Sequence, residues 1–268
     1  MHVITLTSDW KENDFYVASL KGKLLSACPG AQIVDTNHRI KPFNSSHAAF
    51  ILRNSYPHFP ENTVHIIAVN TEPESGGELL AARKEKHYFL CADNGILGLL
   101  GGNEPEEVVT LTDQYAGDPD TFIALSVFAS AACELSRGTP LSRLGSPAKD
   151  YDRQTPLRAT IENLTITGSV IHIDSFQNAI TNISRELFER VGKGRTFEIY
   201  VQSKHYMLDR INRRYNETDP GDLLAIFNSL GLLEIAIRDG NAAGLLKLNT
   251  NSTIRVEFKD GQNEQHRR

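Results

Sequence analysis

Cysteine is scarce in this sequence, and its three copies lie far apart. Cys28, Cys91 and Cys133 form no CxxC pair, the spacing that metal and redox sites use. Each lies in an apolar run, so we expect buried free thiols. Free thiols suit a reducing compartment, and we therefore predict a cytoplasmic protein.

Signatures of several other protein classes are absent as well. The nine histidines do not cluster at metal-ligand spacings, and the sequence contains neither HExxH nor GxSxG. No basic stripe is present and the formal net charge is −5, which argues against a nucleic-acid partner. No apolar run reaches membrane-spanning length, and no leader-like segment opens the chain. We therefore expect no metal, no resident cofactor, no nucleic acid and no membrane segment.

The first half of the chain alternates strand-like runs with helical spacing. Residues 3–7, 64–69 and 88–91 are the clearest strand-like runs, and residues 64–69 are almost continuously apolar. A run of that kind is typical of a strand buried on both faces. The alternation predicts an α/β N-terminal domain with a largely parallel sheet over residues 1–148.

The pattern changes after a polar stretch at residues 146–156 that carries two prolines. We place a linker at residues 149–158. Strand-like runs then recur at short intervals, with turn residues between them and only two short helical segments. This spacing predicts a smaller all-β, barrel-like C-terminal domain over residues 159–268.

Polar residues follow the predicted strands of the first domain, where α/β folds bind ligands. Asp9 could accept hydrogen bonds from a ribose diol, and the alternative is a cap for the next helix. Phe43 could stack on a purine, and the alternative is a core plug. The loop from Asn70 to Gly77 is polar and glycine-rich, but it is acidic and lacks the lysine of a phosphate loop.

The second domain has one comparable segment. Asp174, Phe176 and Asn178 occupy alternate positions, which point to one face of a strand. A carboxylate for an ammonium group, an aromatic ring for stacking and an amide for an adenine edge would form a nucleoside site. A half-polar edge strand is the alternative.

Taken together, these segments resemble the S-adenosylmethionine (SAM) hydroxide adenosyltransferases and the related fluorinases and chlorinases. The resemblance runs in order from about residue 3 to 258. It is carried by "ITLTSDWKENDFYVASLKGKLL", "AQIVDTNHRIKPFNSSHAAFIL", "YFLCADNGILGLL", "HIDSFQNAITNI" and "NSLGLLEIAIRDGNAAGLL". It implies an α/β domain joined to a β-barrel, in a homotrimer that binds SAM between the N-terminal domain of one subunit and the C-terminal domain of the next.

The resemblance also implies roles for individual residues. Asp9 would hold the ribose, Phe43 would stack near the adenosine, and Asp14 would support the pocket. In the second domain, the implied contacts are to the methionine ammonium (Asp174), the adenine (Phe176, Asn178, and the backbone of Ala242 and Ala243) and the methionine carboxylate (Arg238).

The catalytic motifs of the family are altered here. Hydroxide-type members carry Asp-Pro-Gly-Val-Gly followed by an Arg, and a later Thr-Phe-His-Gly-Arg-Asp. No arginine of this sequence takes the place of the first Arg, because Arg83 lies too far along the chain. Alignment on the proline puts Glu72 at the first Asp, with Asn70 as the alternative, and Ile123 replaces the His. We expect Glu72 to act as the general base with Ser75 as its hydrogen-bond partner.

The resulting hypothesis is an enzyme that attacks the ribose C5′ of SAM with water and releases adenosine and methionine, slowly. Two alternatives stay open. One is a catalytically inactive SAM- or adenosine-binding homologue, and the other is an enzyme of this fold with a different nucleophile or nucleoside. Halogenase activity is not expected, because an ionised carboxylate in the loop repels a halide.

Overall fold

The computed structural model describes residues 2–72, 77–111, 122–203 and 205–260, and the structural statements below refer to those residues. The chain divides into two compact units, residues 1–156 and 157–268. Each unit has its own hydrophobic core, so the two are described separately.

The N-terminal unit contains a seven-stranded sheet with strand order β2-β1-β3-β5-β4-β6-β7. The strands are β1 (His2–Ser8), β2 (Ala31–Asn37), β3 (Val64–Ala68), β4 (Leu79–Lys84), β5 (His87–Ala92), β6 (Glu107–Leu111) and β7 (Gly145–Pro147). β1 pairs in parallel with β2 and β3, and β3 pairs in parallel with β5. β4, β6 and β7 are added in antiparallel pairings.

This sheet is therefore mixed, and the expectation of a largely parallel sheet holds only for its β2-β1-β3-β5 half. The reason lies in the connection between β4 and β5. Glu85 and Lys86 form a two-residue turn in which both have positive φ, 48° and 67°. Such a turn returns the chain directly beside the previous strand and so forces antiparallel pairing.

Helices cover both faces of the sheet. They are α1 (Phe15–Ala27), α2 (Ser45–Arg53), α3 (Ile96–Leu99) and α4 (Ala129–Ser136), and a π-helical turn (Ala124–Phe128) leads into α4. Within β3, Ile66 packs in the core of one face and Ile67 in the core of the other, which confirms a strand buried on both faces. In the described parts of the chain, every helix is too short or too polar to cross a bilayer.

The cysteines differ from the sequence expectation. Cys28 and Cys133 form a disulfide, and only Cys91 is a free, buried thiol among the described residues. Cys28 follows α1 and Cys133 lies in α4, and these helices pack together so that the two Cα atoms lie 5.4 Å apart. The prediction of three free thiols was wrong because 105 residues separate the pair, and no local spacing reveals the contact.

The C-terminal unit is built from antiparallel strands. They are β8 (Thr160–Glu162), β9 (Thr165–Ile173), β10 (Ala179–Ser184), β11 (Phe197–Val201), β12 (Met207–Leu208), β13 (Leu223–Phe227), β14 (Leu232–Ile237) and β15 (Thr253–Phe258). Their order is β12-β11-β15-β9-β10-β14-β13, with β8 paired to β9. The Asn212 N–H donates to the Ala225 carbonyl at 2.8 Å, which brings the chain after β12 against β13. The sheet is therefore nearly closed and barrel-like, with α5 (Arg185–Gly192) and α6 (Ala242–Leu245) attached.

Candidate functional site

Asp9 connects two loops at one edge of the N-terminal sheet. It directly follows β1, and its Oδ2 accepts a hydrogen bond from the Phe43 N–H at 2.9 Å. The Asn70 N–H donates to the same oxygen at 3.4 Å. The loops meet because β1, β2 and β3 are parallel neighbours whose carboxyl ends share an edge. Three residues chosen from the sequence are thus brought together.

The alternatives considered for two of these residues do not hold. The ring of Phe43 is 77% exposed, so it is no core plug. Asp9 does not cap α1, because Asp14 occupies that N-cap position. Asp14 itself is exposed and makes no side-chain capping hydrogen bond. Asp9 therefore presents a carboxylate, and Phe43 an aromatic face, at the same edge of the sheet.

Asn94 holds the start of the Asn70 loop by hydrogen bonds, a role that we did not assign from the sequence. Its Nδ2 donates to the carbonyls of Val69 at 3.0 Å and Asn70 at 2.9 Å, and its Oδ1 accepts from the Ile96 N–H at 3.2 Å. The side chain is buried, so these bonds replace water. The motif Asp-Asn-Gly after β5 was visible in the sequence, but only the fold shows what the amide contacts.

An aromatic cluster lies beside Asp9. The rings of Trp10 and Tyr16 each meet the ring of Phe122 edge to face, with centroids 5.1 Å apart. Ile123 follows, immediately before the π-helical turn, a distortion that is frequent at functional sites. Ile123 has an aliphatic side chain, so this position offers no group for proton transfer.

The catalytic pair assigned from the sequence is only partly described. Glu72 is exposed on the loop after β3, and it makes no hydrogen bond or ion pair with a described residue. Ser75 lies outside the described residues. In the part of the chain that the structure covers, the Glu72 carboxylate therefore has no partner that would orient it.

Asp174 organises a tight turn between β9 and β10 in the C-terminal unit. Its Oδ1 accepts from the N–H groups of Phe176 at 3.0 Å and Asn178 at 2.8 Å, and its Oδ2 accepts from Asn178 Nδ2 at 3.3 Å. Gln177 has a φ of 66° in this turn. The left-handed conformation favours glycine over a residue with a side chain such as Gln177.

The turn is held against the start of α6. The Ala243 N–H donates to the Gln177 carbonyl at 2.9 Å. Asn178 and both alanines are buried, whereas the Phe176 ring is 77% exposed. This contact brings the turn and the alanines together, as expected. It also uses the Ala243 N–H, so the Ala242 N–H is the amide left without a bond to a described residue.

Arg238 is bound to protein groups. Its Nη1 donates to the Thr218 carbonyl, and its Nε lies 3.5 Å from Asp239 Oδ2. The side chain is partly buried, at 30% exposure. These contacts fix the guanidinium locally, so a ligand carboxylate would have to compete with them.

Tyr215 and Glu234 form a second polar group near the Asp174 turn, and the sequence analysis missed it. Glu234 is 2% exposed on β14, and its Oε1 accepts from the Tyr215 hydroxyl at 2.8 Å. Its Oε2 accepts from Asn228 Nδ2 at 3.1 Å. Burial raises the pKa of Tyr215, and the charges of Glu234 and Asp174 add to this effect. A single glutamate in the apolar run of β14 was the available signal.

Comparison with known proteins covers both units. Residues 4–145 match the model of the SAM hydroxide adenosyltransferase N-terminal domain, and residues 168–255 match that of the C-terminal domain. The chain belongs to the SAM hydroxide adenosyltransferase family. Asp9, Phe43 and Asn70 lie within the first match, and Asp174 and Asn178 lie within the second.

Individual relatives agree with this family over almost the whole chain. The chain is 27% identical to a (R)-S-adenosyl-L-methionine hydrolase of Methanocaldococcus jannaschii over 96% of its length and 97% of the relative's. It is 26% identical to a fluorinase of Actinopolyspora mzabensis, over 95% and 96%. A crystal structure of an uncharacterized conserved protein from Thermotoga maritima superposes with a TM-score of 0.85 at 26% identity, covering 96% and 99%.

The described residues contain no group of three His, Cys, Asp or Glu side chains that could hold a metal ion. The polar groups at the Asp9 edge and at the Asp174 turn are carboxylates, amides and backbone N–H groups. Such groups suit a polar organic ligand with aromatic and hydroxyl parts.

Proposed function

We propose that this chain hydrolyses SAM: water attacks the ribose C5′, the C5′–sulfonium bond breaks, and adenosine, methionine and a proton are released. The observation that carries the proposal is the Asp9 carboxylate, which accepts the backbone N–H of the exposed Phe43 and that of Asn70. The family relationship supports the same ligand, because relatives of nearly equal length are named as hydrolases of SAM.

The names of these relatives refine the substrate. They specify (R)-S-adenosyl-L-methionine, the form with the R configuration at sulfur. The sulfonium is the leaving group, so its configuration decides where the methionine chain points during in-line attack. We extend this preference to the present chain, and both sulfur epimers belong in the assay.

Asp9, Phe43 and Asn70, which we call the N-terminal half-site, would bind the ribose. Asp9 Oδ2 is already held by backbone N–H groups, which leaves Oδ1 to accept from the ribose hydroxyls. A carboxylate fixed in this way is preorganised and loses little side-chain entropy when the ligand arrives. The Phe43 ring would cover one face of the nucleoside.

The Asp174 turn and the start of α6, which we call the C-terminal half-site, would bind adenine and the methionine ammonium. Asp174 accepts only N–H groups of its own turn and forms no ion pair with a described residue, so its negative charge is not neutralised. An ammonium group would supply the missing charge. Asn178, in this turn, and the N–H of Ala242, at the start of the α6 helix that is bonded to the turn, would bind the adenine edge.

The chemical step would depend on orientation and desolvation of water. We assign Glu72 as the general base and Ser75 as its partner, with Asn70 as the alternative position for the base. The family Arg and His have no equivalent here, since Ile123 occupies the His position. A positioned base contributes about 10²–10⁴-fold, and a poorly oriented one contributes less, so turnover should be slow.

We further propose a homotrimer in which neighbouring subunits share each ligand, with no resident cofactor. A head-to-tail contact that closes after three subunits satisfies cyclic symmetry. A cytoplasmic location stays a prediction of the sequence, and the Cys28–Cys133 disulfide removes part of its basis.

The deciding experiment is chromatography of each SAM epimer after incubation with the purified protein. Release of adenosine and methionine in equal amounts supports the hydrolase. Binding of SAM or adenosine without product would favour the inactive homologue, which the missing Arg and His also favour. A different 5′-substituted nucleoside would identify another nucleophile.

A further inference from the structure

His38 contacts both ends of the segment that carries Asp9, residues 8–11. Its Nδ1 lies 2.7 Å from Ser8 Oγ, and its backbone carbonyl accepts a hydrogen bond from the Lys11 N–H at 2.9 Å. Ser8 directly precedes Asp9, and Lys11 follows two residues after it. A single residue after β2 therefore holds both ends of the segment.

Asp35 orients the His38 ring. Its Oδ1 lies 3.0 Å from His38 Nε2, and its Oδ2 accepts from Lys21 Nζ at 2.5 Å. Burial acts to raise the pKa of Asp35, but the hydrogen bonds from His38 and Lys21 outweigh it and leave the pKa lowered. An ionised Asp35 can only accept, so Nε2 of His38 carries the hydrogen of this bond and Nδ1 is the ring nitrogen bonded to the Ser8 hydroxyl.

The burial of the Ser8–His38 bond decides what it can do, whereas the Asp35 side chain on the other side of the ring is 42% exposed. Ser8 is 1% exposed and His38 is 5% exposed. The Ser, His and Asp composition is that of a hydrolase triad, but a serine buried to this degree cannot reach a substrate. Water also cannot replace the bond if one partner is removed, so loss of the Ser8 hydroxyl leaves the ring nitrogen unsatisfied.

We propose that Ser8, His38 and Asp35 are positioning residues that set the place of the Asp9 carboxylate for ribose recognition. The inference rests on the proposed function, because that function assigns the ribose to Asp9. Asp9 in turn holds the Phe43 and Asn70 N–H groups, so a shift of its segment would move both loops.

The same strand offers a matched control. Thr5 Oγ1 lies 2.7 Å from His65 Nδ1, and both residues are fully buried. This pair has the same chemistry and length as the Ser8–His38 pair. His65 packs against the rings of Tyr56 and Phe89 in the core, however, and its side-chain hydrogen bonds within the described part of the chain go to Thr5 and His87 rather than to residues 8–11.

The experiment compares adenosine with 2′-deoxyadenosine by titration calorimetry. Wild type should prefer adenosine, because Asp9 would bind the ribose hydroxyls. Ser8→Ala should reduce that preference by about 5- to 10-fold, the equivalent of one buried hydrogen bond. Thr5→Val should lower the melting temperature but leave the preference unchanged. If Ser8→Ala fails to fold in a thermal melt, His38→Asn, which keeps a polar group facing Ser8, replaces it and should also reduce the preference.

The outcomes separate this inference from the function on which it rests. A folded Ser8→Ala protein with the wild-type preference would overturn the positioning role and leave the proposed function intact. An equal loss of preference in Thr5→Val would also overturn it, since the effect would then be general to the strand. A wild-type protein that binds both nucleosides equally, or neither, would overturn the assignment of the ribose to Asp9 and the inference with it.

Discussion

Asp174 and Asn178 are joined by two hydrogen bonds, from the backbone N–H of Asn178 to Oδ1 at 2.8 Å and from its Nδ2 to Oδ2 at 3.3 Å. The carboxylate thus builds the turn that would also bind the ligand. Removal of the whole side chain would disturb both roles. An isosteric change can separate them, because it removes the charge and keeps an acceptor for the backbone.

Asp174→Asn should lower the affinity for SAM by about 10- to 100-fold, the range of a hydrogen bond to a charged group. Adenosine has no ammonium, so its affinity should change little. Calorimetric titration of both ligands measures the difference. Asn178→Ala is the companion variant, and it should weaken both ligands because adenine is common to them. Equal losses of SAM and adenosine in Asp174→Asn would contradict the ammonium assignment.

The buried His65 should make the fold sensitive to acid. Burial lowers the pKa of His65 to about 3, with a smaller contribution from His87. In the unfolded chain the ring binds a proton below about pH 6.5. The unfolded state therefore holds more protons at acid pH, and stability falls as pH drops from about 6.5 towards 3. One such proton corresponds to about 2 kcal/mol between pH 6.5 and 5.

Denaturant unfolding at several pH values tests this expectation. His65→Gln cannot titrate, so its stability should fall less steeply over the same range, by about one proton. Other titrating groups affect wild type and variant alike and cancel in the comparison. If the free energy of unfolding fell with pH at the same slope in both proteins, protonation of His65 would not destabilise the fold and the expectation would be wrong.

The site was predictable where the chemistry follows from position along a strand. Asp9 and Asn70 were each selected because they follow a predicted strand of an α/β domain, and the parallel pairing of those strands brings them together at one sheet edge. The Asp174 segment was also selected, but the expectation that Asp174, Phe176 and Asn178 share one face of a strand was wrong. These residues form the turn between β9 and β10, in which Phe176 is exposed and Asn178 is buried. The turn at Glu85, by contrast, carries no glycine or asparagine to signal its positive φ, and the antiparallel β4 was missed.

Contacts between distant segments could not be predicted from one sequence. Asn94 and His38 act on loops that lie 24 and 30 residues away along the chain. Nothing in their local spacing indicates those partners. The same holds for Glu234, whose burial beside Tyr215 depends on how the barrel closes.

The disulfide gives a separate prediction about stability. Cys28 and Cys133 close a long loop, with a sequence separation of 105. The chain-entropy model assigns a loop of that size about 4–5 kcal/mol. Cys28→Ser with Cys133→Ser should therefore lower the denaturation midpoint, and a reductant should do the same to wild type. Cys91→Ala keeps the disulfide and should still respond to the reductant.

Thiol titration provides an independent measurement of the same feature. Cys91 is fully buried, so the native protein should react slowly and the unfolded, unreduced protein should show one thiol. Three thiols in the unreduced protein would contradict the disulfide and would restore the expectation from the sequence.

The proposed trimer can be tested by light scattering at micromolar concentration, with and without SAM. We expect a trimeric mass in both conditions, because the subunit contact would form the ligand site. A monomer would leave each proposed ligand with half of its contacts, so it would contradict the shared site. Ligand-dependent assembly would support that site, since binding would then depend on subunit association.

The last prediction concerns the nucleophile, and Glu72 decides it. The Glu72 carboxylate is exposed and has no described partner, so it can accept a proton from water but is not held for that task. Glu72→Gln removes the basic oxygen with little change in shape, and adenosine release should fall by up to about 10²-fold, because the base is not held in place. Asn70→Ala tests the alternative base position, and Glu78→Gln, on the same connection, is the control for a change of charge. SAM is also incubated with the protein in the absence of chloride and in about 1 M chloride. Chromatography should show no 5′-chloro-nucleoside in either case, because an ionised carboxylate repels a halide where water is excluded. Adenosine release that survives Glu72→Gln but not Asn70→Ala would move the base to the other position. A halogenated product would show that the charge of this loop does not select water.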